Sequence, residues 1–260
     1  MLVNPKNPQS EHKLDLSLKI DEKDFKNFTY KDLPLSFFAS IISARRGGKS
    51  FLVNSIIQDF QKDKDLKFTH IFLISPTDFG FEGIPPNYRF TNINAIDYIT
   101  QNQTRIQKYN KEVKDPNKRM KSRILIVLDD MATDNSKSGL GSQTIMNLAL
   151  NGRHFGTKDP VKNNGISIFL ISQALKRIPR SVRLNQDAFF VNNISSLIER
   201  NDILDESFYI DTTKAGRDRG KKVFETLATS KDFRFIAILL HHQNKRRLED
   251  YIKKADATER

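Results

Sequence analysis

"IISARRGGKSFLVNSIIQDF", residues 41–60, decides the fold. Its centre is close to the phosphate-loop pattern G-x-x-x-x-G-K-[ST]. The first glycine is absent, and Ser43 stands in its place. From average usage, a Gly-Lys-Ser or Gly-Lys-Thr arises by accident about once in ten chains of this length. Context must therefore decide. Upstream, "SFFASIIS" (36–43) is a continuous apolar run, as in a strand buried on both faces. Downstream, Leu52, Val53, Ile56, Ile57 and Phe60 recur at helical spacing. Strand, glycine turn and helix N-terminus are what phosphate binding needs: backbone N–H groups converge on the anion, and the helix end adds partial positive charge. Ser43, Ala44, Arg45, Arg46, Gly47, Gly48, Lys49, Ser50 and Phe51 form the expected ATP-binding segment. Lys49 is expected to reach the β- and γ-phosphates, and Ser50 to ligate Mg²⁺. Arg45 and Arg46 face either phosphate or solvent.

A second apolar run, "ILIVLDD" (124–130), delivers Asp129 and Asp130 at its carboxyl end. In open α/β sheets ligands bind at that end. Asp129 is expected to hold the Mg²⁺ water shell, and Asp130 to polarise the attacking water. Two acids at a strand end are also plain turn formers; the phosphate loop upstream favours catalysis. A third strand, "ISIFLIS" (166–172), is followed by Gln173, placed to contact the γ-phosphate or position water. "NGRHFG" (151–156) follows a helical pattern of Ile145, Leu148, Ala149 and Gly152. Arg153 there is read as an arginine finger reaching a neighbouring subunit's γ-phosphate. The plainer alternative is a cation closing a helix against its dipole. Arg180 and Arg183, in "RIPRSVRLN", compete for the finger role.

Further apolar runs at 69–75 and 187–193, with a helical pattern at 95–109, alternate with the elements above. Such alternation predicts an α/β fold with a mostly parallel central sheet flanked by helices. Residues 13–20 alternate as a half-buried strand does. Towards the C-terminus, 214–222 reads as a turn, 223–229 and 233–240 as strands, and 244–255 as a final basic helix. That helix reads as a plain basic helix, the alternative being a device that docks a partner. His241 and His242 read as structural. The expected organisation is an N-terminal arm and strand (1–35), an ATPase core (36–204), and C-terminal strands and basic helix (205–260) completing the same domain.

The 260 residues carry 43 Lys+Arg against 31 Asp+Glu, a formal net charge of +12. That excess calls for a polyanionic partner, nucleic acid before an anionic membrane. Two loops supply clustered cations. The first, 110–123, holds Lys111, Lys114, Lys118, Arg119, Lys121 and Arg123; the second, 156–164, holds Lys158 and Lys162. Lys118, Arg119, Lys121, Lys158 and Lys162 are the DNA-binding candidates, against the alternative of a solvated charged surface. The sequence has no Cys, which excludes disulfides and Cys-based zinc sites. No zinc finger or aromatic-and-basic RNA motif is present, so sequence-independent binding is expected. The N-terminus lacks the apolar core of a signal peptide and no run is long enough for a membrane span, so a soluble protein is expected.

In order along the chain, "GGKS", "ILIVLDD", "NGRH" and "ISQALKRIPRSVRLNQD" resemble the FtsK/HerA-type genome-packaging ATPases of double-stranded DNA viruses. That family includes the poxvirus-type packaging ATPase and relatives in giant viruses, virophages and Polinton-like elements. The resemblance covers roughly residues 36–195 and implies a P-loop NTPase of the ASCE, RecA/FtsK-like kind. It further implies a homo-oligomeric ring, pentamer or hexamer, with ATP and Mg²⁺ at each subunit interface. Double-stranded DNA would pass through the centre into a capsid, with a capsid vertex or portal-like component as partner. The implied setting is the host cytoplasm, a viral factory or the virion. By position, Lys49 and Ser50 match the Walker A pair, Asp129 and Asp130 the Walker B pair, Gln173 the polar sensor, and Arg153 the trans-acting arginine. Two residues depart from the pattern: Ser43 replaces a glycine, and Asp130 stands where many relatives carry Glu. A HerA-like helicase or a plasmid-transfer ATPase of the same fold is the alternative. A small-molecule P-loop kinase and a DNA-binding protein with a dead nucleotide site are more distant ones.

Overall fold

The computed structural model describes residues 20–77, 80–131, 143–152, 159–192, 194, 196–208, 213–229, 233–241 and 247–257. Arg153, His154, Lys158, His242 and residues 13–19 of the strand expected at 13–20 lie outside them.

Continuous apolar runs become the inner strands: β1 (Phe38–Ser43), β4 (Arg123–Asp129), β5 (Gly165–Ser172) and β6 (Ala188–Asn192). Nearly every residue in them is buried, as strands covered on both faces must be. β2 (His70–Ile74) and the short β3 (Arg89–Phe90) extend one side. Two further strands, β7 (Arg234–Leu239) and β8 (Ile252–Asp256), extend the other. The sheet has eight strands in the order β3-β2-β4-β5-β1-β6-β7-β8. β3 to β6 along that order are parallel; β7 and β8 run antiparallel. Because β5 lies between β1 and β4, three carboxyl ends sit side by side at one edge.

Helix α1 (Lys49–Lys62) buries Leu52, Val53, Ile56, Ile57 and Phe60, the face its spacing predicts. α2 (Ala95–Glu112) is longer than expected and takes in the first part of the basic stretch. α3 (Gln143–Asn151) buries Ile145, Leu148 and Ala149. Gly152 follows it, where an added Cβ would lie 2.5 Å from the Leu148 carbonyl oxygen.

Three expectations fail. Residues 214–222 are not a turn and 223–229 are not a strand; together they form a helix, α4 (Lys214–Thr229). Gly220, Val223, Phe224 and Leu227 are its buried face, spaced by three and four. Nor does a basic helix close the chain. Among the described residues of 244–255 only Leu248–Tyr251 is helical, and the chain then becomes β8. Its lysines are engaged: Lys253 meets Asp32 at 2.5 Å and Lys254 meets Glu22 at 3.7 Å. The Phe28 N–H donates to the Lys254 carbonyl at 2.7 Å, so the N-terminal segment lies against β8. Arg123 is not a loop cation. It opens β4, is 4% exposed, and stacks its guanidinium 5.1 Å from the Phe60 ring and 4.8 Å from the Phe68 ring. It donates to the carbonyls of Leu66 and Leu35.

Candidate active site

The chain leaves β1 at Ser43 and enters α1 at Lys49 through one tight loop. Ser43 itself pairs with Asn192 in the sheet, and its φ is not positive. An extended residue has no need of glycine, so the missing glycine costs nothing in backbone freedom. The left-handed positions lie further on, at Arg46 (φ 59°) and Gly48 (φ 82°). Ser43 instead makes a steric demand on Gly47: a Cβ at Gly47 would come within 1.9 Å of the Ser43 Oγ. The hydroxyl and the glycine fit each other. Arg45 and Arg46 are both exposed.

Lys49 lies across this loop. Its Nζ donates to the carbonyls of Ser43 and Ala44, both at 2.8 Å. Burial pulls its ammonium below the ordinary lysine range, with Asp129 and Asp130 opposing and Arg45 adding to the fall. Asp129, at the end of β4, is pushed up to about 6, first by burial and then by Asp130, with Lys49 opposing. In both groups desolvation outweighs the attraction between them. A polyphosphate with its metal would supply opposite charge to each.

Asp130 turns the chain out of β4 with φ 50°, a conformation Asp tolerates better than most residues. Its N–H donates to the Ile171 carbonyl at 3.3 Å. Gln173, just past β5, donates from Nε2 to the Asp130 Oδ2 at 3.1 Å. The other carboxylate oxygen, Oδ1, is buried without a hydrogen-bond partner. Such an orphaned acceptor is what a water-orienting carboxylate needs.

The donors suit Mg²⁺, which prefers one or two carboxylates with water and phosphate oxygens to an all-protein cage. Ser50 opens α1 and Asp129 closes β4. No group of three or more His, Asp or Glu that could cage an ion occurs among the described residues.

Sequence reasoning missed three neighbours. Asn192 ends β6, is 8% exposed, and reaches the Gly47 carbonyl at 3.5 Å. The rule that found Gln173, a polar residue at the carboxyl end of a buried strand, would have found it. Phe233 and Ala257 wall a cavity of about 580 Å³ over the loop, opposite Gly48 and Phe51. Phe233 is left-handed (φ 56°) and 54% exposed, an unusual cost for a bulky residue. No local signal marks it.

Of the competing arginines, Arg183 is occupied. Its Nε and Nη2 donate to the Glu206 carboxylate at 2.8 and 2.6 Å, and Nη1 to the Ile178 carbonyl at 2.6 Å. Arg180 is exposed. Among the basic candidates, Lys118, Lys121 and Lys162 are exposed, whereas Arg119 is half-buried and donates to the Val113 carbonyl at 3.2 Å.

A phosphate loop whose lysine lies near two strand-end carboxylates, one of them held by a glutamine, places the chain among the P-loop ATPases. Its family is narrower: residues 25–217 match the family model described as Poxvirus A32 protein, and the chain belongs to that family. No curated protein matches it.

Solved structures share the fold. One is the genome packaging NTPase B204 from Sulfolobus turreted icosahedral virus 2 in complex with ATP-gammaS. It is 15% identical with a TM-score of 0.54, covering 86% of this chain and 98% of that one. The DNA-packaging ATPase B204 from Sulfolobus turreted icosahedral virus is 15% identical with a TM-score of 0.50, covering 85% and 97%. The pCW3 conjugation coupling protein TcpA, in its monomer form with ATPgS, is 13% identical with a TM-score of 0.54, covering 92% and 70%.

Proposed function

We propose that this protein is a ring motor that hydrolyses ATP to drive double-stranded DNA into a capsid. The observation that carries it is the shared sheet edge of Lys49, Asp129 and the Gln173–Asp130 hydrogen bond. Family membership and the packaging ATPases of like fold support the direction of the work.

In this reading the loop N–H groups and Lys49 hold the β- and γ-phosphates, and Lys49 exchanges its two carbonyl contacts for phosphate oxygens. Ser50 and Asp129 would hold Mg²⁺, which would supply charge neutralisation at the phosphates. Asp130 orients the attacking water through Oδ1, while Gln173 fixes the carboxylate by Oδ2. Phe51 and Phe233 offer apolar surface beside the loop for the base. A trans-acting arginine, Arg153 or Arg180, completes the site from a neighbouring subunit and contributes about 10³–10⁵ in turnover.

ATP turnover by assembled protein with and without duplex DNA tests the reading. Turnover should rise with DNA and vanish in Lys49→Ala and Asp129→Ala. Mixing Arg153→Ala with Lys49→Ala protein should restore part of it if Arg153 acts in trans. Turnover indifferent to DNA contradicts the motor.

A further inference from the structure

Three turns meet at the amino-terminal ends of β2, β4 and β5, the sheet edge opposite the ATP site. The turn between α1 and β2 carries Lys64 and Lys67; the residues before β4 carry Lys121; the turn before β5 carries Lys162. They surround a cleft of about 450 Å³. All four lysines are exposed. None has an acidic partner among the described residues, and Asp65 is the one carboxylate on the rim. Sequence reading assigned Lys121 and Lys162 to separate loops and overlooked Lys64 and Lys67.

The cleft is braced from beneath. Arg123 holds the Leu66 carbonyl and so fixes the first turn. The Asn164 side chain accepts from the Ser122 N–H at 2.7 Å and donates to the Met120 carbonyl at 3.0 Å, locking the second turn to the third. The Asn163 side chain donates to the Asp65 carbonyl at 3.3 Å, joining the third to the first.

We propose that this cleft grips the phosphate backbone of duplex DNA. The inference rests on the motor reading above and locates its track. Lysines are point charges that neutralise phosphates without reading bases, which suits a translocase. A docked protein would need an apolar centre, and the exposed wall offers four lysines, Asp65 and Thr69, with the half-buried Val161 the lone aliphatic. Strand β4 links cleft to motor: Arg123 begins it and Asp129 ends it, a span of roughly 20 Å at the usual rise per residue.

The test compares the intact protein with K64Q/K67Q/K121Q/K162Q and with K26Q/K108Q/K111Q/K114Q, which removes the same charge from exposed lysines outside the cleft. Duplex DNA affinity is measured against salt, with polyglutamate as a second probe. In the cleft variant the slope of log K on log salt should flatten by about 0.9 for each lysine that meets a phosphate. The comparison variant should keep most of the slope. Basal ATP turnover without DNA should be unchanged in both, which also reports correct folding. If the cleft variant keeps the parent slope and DNA-stimulated turnover, the cleft is not the track, although the motor reading stands. If the unaltered protein neither binds duplex nor responds to it, the motor reading falls and the cleft proposal with it. Polyglutamate bound as tightly as DNA, with the same loss in the cleft variant, would make the cleft a dock for acidic protein and overturn the proposal.

Discussion

The side-chain amide of Gln173 donates to Oδ2 of Asp130 at 3.1 Å, tying the end of β5 to the end of β4. The bond leaves Oδ1 of the same carboxylate buried and unpartnered. In the proposed mechanism Gln173 thus positions the carboxylate that orients the attacking water.

Gln173→Ala should therefore reduce kcat by about 10²-fold, the usual size for losing a positioned acid–base group. KM for ATP should change little, because the amide holds Asp130 and not the loop. Steady-state kinetics checks this; a raised KM at constant kcat would assign Gln173 to nucleotide binding.

Asp129 gives a prediction about stability. Its folded-state pKa, about 6, lies above the ordinary carboxylate value. Between about pH 4 and pH 6 the folded state binds the extra proton, so this group's contribution becomes less favourable as pH rises through that window. Above it the penalty is complete. In Mg²⁺-free buffer near pH 7, Asp129→Asn should raise stability by about 1–2 kcal/mol, allowing for partial access of water. Activity should be lost at the same time. Thermal melts across pH decide it, and an unchanged or lower Tm for the variant at pH 7 counts against the reading.

Ser43 and Gly47 should be coupled. Gly47→Ala places a methyl 1.9 Å from the Ser43 Oγ as the structure stands, and should destabilise by about 1–3 kcal/mol as overpacking does. Ser43→Gly alone should be mild in its effect on catalysis, since position 43 is extended. The double variant should recover about 1 kcal/mol relative to additivity. Denaturant unfolding of the four proteins measures the coupling; strict additivity would remove the steric link.

Arg123→Lys should cost about 2–4 kcal/mol, the range for breaking a buried network, because lysine cannot reproduce the flat stack on Phe60 and Phe68 or the forked donation to Leu66 and Leu35. Chemical denaturation reads this directly. A near-neutral result would return Arg123 to the class of surface cations.

The inner strands were legible because burial on both faces forces unbroken apolar runs. The core of the site followed from them: parallel strands deliver their carboxyl ends to one edge, so Lys49, Asp129, Asp130 and Gln173 were found together. Residues 214–229 and 244–255 depart from their reading because local signals mislead there, whereas the strands at 187–193 and 233–240 form as expected. Gly216 and Gly220 imitate a turn inside α4, yet Gly220 is buried on the helix's packed face. β8 looks basic and helical, but Lys253 finds its counterion at Asp32, 221 residues away. Phe233 was invisible for the same reason: strand pairing, and no feature of its own segment, brings it over the loop. Arg123 was counted as a DNA cation because sequence shows charge and hides the aromatic pair that receives it.

Movement along duplex DNA is what separates a motor from an ATPase that DNA merely stimulates. Displacement of a triplex-forming strand from a DNA duplex measures it most directly. The assembled protein should strip the third strand when ATP is hydrolysed, and not with a non-hydrolysable analogue or with Lys49→Ala. ATP turnover that proceeds on the duplex while the third strand stays in place would contradict it.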